Sequence, residues 1–178
     1  MAEQRRAYAA GEMSGQRAAR LERLGMVWSV ADERFQENLE AAGAYFAEHW
    51  TLCAPKSAVA LDRPVGQWLA NLRRPGALEG RPEWRAALEA IDPDWRPAWP
   101  VEWQRRFAAV RELLRDEDGQ AVVLPGVTVH GMDVGRWLER QRQPGVWAGL
   151  ADGQRERLEA LGVAPLPPGG AGRVREGP

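Results

Sequence analysis

The chain is poor in the residues from which most protein chemistry is built. Its 178 residues include one cysteine (Cys53), two histidines (His49 and His130), three serines (Ser14, Ser29 and Ser57) and one lysine (Lys56). A single cysteine excludes an internal disulfide framework and a multi-cysteine zinc site. The histidines stand 81 residues apart with no second ligand at helical spacing, so they read as separate, partly exposed loop residues and not as a metal site. Lys56-Ser57 follows Ala54-Pro55 instead of a glycine-rich loop able to cradle phosphate. No serine sits in a Gly-x-Ser-x-Gly turn. No apolar run approaches the roughly 18 residues of a membrane span, and the polar start lacks the apolar core of a signal peptide. The expectation is therefore a protein that is not an enzyme, with no cofactor, no metal, no small-molecule substrate and no membrane contact, residing in the cytoplasm. A net charge of -1 further excludes a uniformly basic coat.

Tryptophan is abundant instead. Nine tryptophans stand against three phenylalanines and two tyrosines, and an internal repeat organises them. Val65-Gly66-Gln67-Trp68-Leu69 returns as Val134-Gly135-Arg136-Trp137-Leu138, followed in each copy by an arginine (Arg73, Arg142) and Pro-Gly. The offset there is 69. Leu88-Glu89-Ala90-Ile91 matches Leu158-Glu159-Ala160-Leu161 at 70, and matches Leu21-Glu22-Arg23-Leu24 at 67. Trp28 pairs with Trp95 at 67; Phe35, Leu39, Ala42 and Phe46 pair with Trp103, Phe107, Val110 and Leu114 at 68. A constant offset within elements and a stepwise change between them is how a duplication behaves when insertions fall in loops.

Each repeat reads as three helices, so the fold class is all-α, in tandem three-helix bundles. The first helix carries the i, i+4, i+7, i+11 apolar set just named, with Pro100 suited to the first turn of its second copy. The second is short, started by Pro64 or Asp133 and ended by Pro-Gly. The third spans about Pro82 to Ile91 and Asp152 to Leu161, with Asp152 as N-cap. No segment alternates like a strand; Ala121–Leu124 comes nearest. Ser14–Leu24 reads as a third helix with Ser14 as cap and Gly25 past its end, following Arg5-Arg6 and Gly11 where a second helix finishes. The domain division is thus a partial repeat over 1–27, full repeats over 28–94 and 95–163, and a disordered Pro/Gly-rich tail over 164–178.

Modules this small are marginal alone. A buried tryptophan removes about 150–250 Å² from water, worth roughly 4–6 kcal/mol gross. Trp28, Trp68, Trp84, Trp95, Trp103 and Trp137 are accordingly expected in the cores. Trp50, Trp99 and Trp147, in loops or at helix ends, are candidates for inter-repeat packing or for stacking on a base.

These features resemble the helicase-associated domain, a tandem repeat beside the motors of bacterial DEAD/DEAH-box helicases. The resemblance rests on Leu24-Gly25 and Trp28 at a repeat boundary, Tyr45, His49 and Pro55, the Gly-x-Trp-Leu sets with their trailing arginines, and the closing Leu158, Leu161 and Gly162. It departs at Asp92, where a closing glycine is expected, and at Asp118-Gly119, near the place of His49-Trp50. It implies a non-catalytic helical accessory module that binds nucleic acid, DNA rather than RNA, and works with a helicase motor.

On the second helix the apolar residues face inward, leaving Gln67, Asn71 and Arg74 on the other side, and Arg136, Arg140 and Gln143 in the second copy. Gln, Asn and Arg bond base edges in pairs, and Arg also binds phosphate. With Arg73 and Arg142 added, these are the candidate nucleic-acid contacts. Charge runs against them: residues 28–94 hold 7 basic and 11 acidic side chains, and residues 95–163 hold 10 of each. The alternative is a protein-interaction module that docks a helicase motor or other replication partner through exposed tryptophans and acidic faces, without touching nucleic acid.

Overall fold

The structure, a computed structural model, describes residues 2–24, 29–116 and 123–167. Among the described residues it is all-α apart from one two-stranded ribbon and one isolated bridge. Helices α1 (Ala2–Ala9) and α2 (Gly15–Arg23) precede a first bundle of α3 (Val30–His49), α4 (Val65–Leu72) and α5 (Pro82–Ile91). A second bundle follows, with α6 (Val101–Asp116), the strands β1 (Thr128–Val129) and β2 (Met132–Asp133), α7 (Val134–Gln141), α8 (Pro144–Ala148) and α9 (Asp152–Ala160).

Local chemistry sets the ends of these helices. Ser29 caps α3, its hydroxyl accepting the Asp32 amide at 3.2 Å, and Trp50 closes α3 in a left-handed conformation with φ 59°. Asp133 caps α7 by accepting the amide of Arg136 at 2.8 Å. Three expected signals fall elsewhere. Helix α9 takes Ala151 as its N-cap, whose amide is bonded by the Gln154 side chain at 3.0 Å, and Asp152 is the first helical residue. Helix α6 starts at Val101, one residue after Pro100, whose carbonyl accepts the Trp103 amide. Pro144-Gly145 opens α8 instead of merely ending α7, because proline's fixed φ suits a first turn.

Strands were not expected, and the ribbon is a finding. Thr128 pairs with Asp133 and Val129 with Met132, while a single bridge joins Ala60 and Arg63 at the matching place in the first repeat. The two tips share a turn: Leu61 and Asp62 have φ of 46° and 59°, His130 and Gly131 of 47° and 75°. Two successive left-handed residues make the turn whose twist suits a hairpin. Periodicity missed it because each strand is two residues long. Of Ala121–Leu124, the last two residues are irregular and the first two lie outside the described residues.

Each repeat has its own core. Phe35, Tyr45, Leu52, Val65, Leu69, Leu88 and Trp95 centre the first; Trp103, Phe107, Val110, Val134, Leu138, Leu150 and Leu158 centre the second. Of the expected core tryptophans, Trp95 and Trp103 are buried, while Trp68, Trp84 and Trp137 pack at the core edges. Trp28 lies outside the described residues, as do Gly25 and Asp118-Gly119. Phe35 stacks on Trp84 with centroids 4.3 Å apart, and Trp103 meets Trp137 edge-on at 5.6 Å.

The Gly-x-Trp-Leu motif now has a physical cause. A Cβ on Gly66 would lie 1.9 Å from the carbonyl oxygen of Pro55, and one on Gly135 would lie 1.7 Å from that of Leu124. In both repeats the loop before the hairpin runs across the first turn of the second helix, and only glycine admits it.

Candidate nucleic-acid interface

Helices α4 and α7 are held by their apolar sides, Val65, Leu69 and Leu72 in one and Val134 and Leu138 in the other, all buried. The opposite sides are solvent-exposed. Gln67, Asn71 and Arg74 are exposed on the first, Arg136, Arg140 and Gln143 on the second. The two sets occupy equivalent positions, each 69 residues apart. Gln67 donates to Asn71 at 3.0 Å, and Arg136 lies 3.6 Å from the capping carboxylate of Asp133. Arg74 and Arg140 carry no ion pair among the described residues.

Arg73 and Arg142 do not belong to this face. Arg73 turns inward, donating to the carbonyls of Trp95 at 2.7 Å and Leu52 at 2.6 Å, and burial holds its pKa below the usual guanidinium value. Arg142 donates to the Ala164 carbonyl at 2.9 Å, and its own carbonyl accepts the Leu166 amide at 2.7 Å. Each arginine follows its helix directly, so its side chain reaches back under the helix end and ties the segment that closes the repeat. Residues 164–167, assigned by composition to the tail, are thereby held against α7; 168–178 lie outside the described residues.

The repeats meet across a polar junction. Asp94 accepts from Arg157 of the second repeat at 2.5 Å and from Gln104 at 3.2 Å. Arg111 donates to the Trp50 carbonyl at 3.0 Å. Trp99 donates to Gln104 at 2.9 Å and carries the Arg157 guanidinium over its ring at 4.7 Å, so Trp99, which like Trp147 packs on the second core, also borders this junction. The departure at Asp92 is explained here too. Its buried carboxylate accepts from the Thr51 hydroxyl, the Leu52 amide and the Asp94 amide, at 3.1, 2.7 and 2.9 Å, and so ties the loop after α3 to the chain after α5.

The histidines were expected apart, in loops. His49 is instead the last residue of α3, its ring centroid 4.2 Å from that of His130 and stacked on that of Tyr45 at 4.1 Å. Trp50 approaches His130 at 5.4 Å. Tyr45, His49 and His130, with Arg105 and Met132, line a cleft of about 230 Å³. Nothing in the linear spacing marked this cluster, because it forms between the end of the first helix of one repeat and the hairpin tip of the next.

A tandem of small helical bundles, three helices in the first and four in the second, each presenting a short helix with an exposed polar side, defines a helical repeat module. Its sequence matches the helicase associated domain over residues 32–96 and again over 100–165, and the chain belongs to that family. No curated protein matches the chain, and no solved structure does. The family associates the protein with helicases in an accessory role. Among the described residues no helix is long and apolar enough to cross a membrane.

Proposed function

We propose that the chain is a non-catalytic, nucleic-acid-binding accessory array that works with a helicase motor, and that DNA is its ligand. The exposed sides of α4 and α7 make the contact, through Gln67, Asn71, Arg74, Arg136, Arg140 and Gln143. The observation that carries this reading is their register: three equivalent positions in two repeats, all exposed, all of types that bond bases or phosphates. Helices α1 and α2 then belong to a preceding repeat. With an acidic first repeat, affinity comes from both faces acting together and from tethering to the motor.

The test is a salt titration of the full chain against duplex and single-stranded DNA. Micromolar binding that weakens steeply with salt, and is lost in the Arg74→Ala, Arg136→Ala, Arg140→Ala triple variant, supports the reading. Absence of binding at about 50 mM salt, where phosphate attraction is strong, overturns it as an autonomous activity. The second reading, a motor-docking module, draws on the outer side of α3, where Glu33, Glu37 and Glu40 are exposed together. It predicts binding to a helicase motor that survives the triple variant.

A further inference from the structure

The chain has two histidines, and folding brings both to one point between the repeats. His49 comes from the end of α3 and His130 from the tip of the β1–β2 turn, and Glu48 places its carboxylate 3.7 Å from the His49 Nε2. One ligand atom from each of the three lies within 4.8 Å of the others. We infer that Glu48, His49 and His130 bind a divalent transition-metal ion of the zinc type and that this ion clamps the first repeat to the second.

Two imidazoles and a carboxylate, with a fourth position left to water, suit zinc. Donors about 2.0–2.1 Å from a tetrahedral ion stand roughly 3.4 Å apart, so the present spread, up to 4.8 Å, must contract on binding. Glu48 is free to do so, its side chain being 71% exposed. Burial, then the neighbouring His130, lowers the His49 pKa and favours the neutral imidazole that metals require. Arg105 also lines the cleft, but it is 2.7 Å from Glu102 and donates to the Met132 sulfur, so its charge is partly compensated beside the ion. The arrangement belongs to the junction and is not a property of every repeat: the position matching His130 in the first repeat is Leu61, exposed and unable to ligate. An ion held there would set the angle between α4 and α7, and therefore the spacing of the two polar faces.

The experiment is calorimetric titration of the full chain with Zn²⁺ alone, repeated with Co²⁺ followed by visible absorption. Asn tolerates the left-handed turn at position 130, and Gln keeps the bulk of His49, so His130→Asn and His49→Gln are the variants; circular dichroism checks their fold. One saturable equivalent is expected, with cobalt bands of a nitrogen and oxygen site. Each histidine variant should weaken binding by at least the roughly 10–100-fold seen for outer-shell partners of metal sites, and Glu48→Gln should weaken it less. No saturable zinc binding, or binding unchanged in the double histidine variant, overturns the inference. Neither outcome depends on whether the chain binds DNA.

Discussion

The side-chain carbonyl of Gln141 accepts the indole N–H of Trp103 at 3.1 Å inside the second core. The same two positions in the first repeat are Leu72 and Phe35, both buried. When the first-helix aromatic carries a polar N–H, the second helix supplies an acceptor; when it does not, the partner is aliphatic. Gln141→Leu should therefore destabilise the protein by about 1–3 kcal/mol, the cost of an orphaned buried donor. Adding Trp103→Phe should recover part of that loss, giving a coupling of about 0.5–3 kcal/mol in a denaturation-based double-mutant cycle. Strict additivity would show the hydrogen bond to be energetically idle.

Gly66→Ala and Gly135→Ala should each destabilise by about 1–3 kcal/mol or more, because the new Cβ meets a backbone carbonyl that cannot move without shifting the loop. Helix propensity alone has the opposite sign, about 1 kcal/mol in favour of alanine. The direction of the melting-temperature change decides between them, at about 4–8 °C per kcal/mol for domains of this size.

Neighbouring arginines should have opposite phenotypes. Arg73→Ala removes the donor to two carbonyls and should cost about 2–3 kcal/mol of stability. Arg74→Ala should stay within about 0.5 kcal/mol of the parent in urea, yet weaken DNA binding. A stable Arg73→Ala variant with reduced DNA affinity would place Arg73 back on the binding face.

Asp133 gives a pH dependence. Hydrogen bonds from the Arg136 and Gly126 amides hold its carboxyl below the ordinary aspartate value. A depressed folded pKa contributes stability that is present above the unfolded pKa and is lost as pH falls through the folded one. The melting-temperature gap between the parent and Asp133→Ala should thus be constant near neutrality and close below about pH 4. Asp133→Asn, which still caps, should flatten that dependence; a gap that persists into strong acid would assign the stabilisation to something other than the charged cap.

Cys53 should be inert. It is fully buried, and burial pushes its thiol up to about 11. A disulfide-exchange reagent at neutral pH should label it slowly in the native protein and completely in denaturant. Fast native labelling would mean that the loop after α3 opens readily, against the anchoring assigned to Asp92.

Much of this architecture was legible because duplication prints the same pattern twice. The three main helices of each repeat, their apolar sides and the Pro82–Ile91 span follow from periodicity that recurs in register. Caps were less legible: residue type favours Asp152, since alanine has no side-chain acceptor to cap with, and that the cap is Ala151 instead goes with the reach of Gln154 back to its amide. The candidate face was partly legible. Apolar spacing separated Gln67, Asn71 and Arg74 from the core, but Arg73, one residue away, goes inward for reasons that lie in Leu52 and Trp95, distant in the chain.

By itself the sequence determined the repeat, the helices and the positions of the two polar faces, since those depend on spacing along one element. Only the tertiary structure decided why Gly66 and Gly135 must be glycine, what Asp92 does, and that His49 meets His130. Each of those depends on a loop or hairpin approaching from another part of the chain, at distances of a few ångströms that no linear pattern encodes.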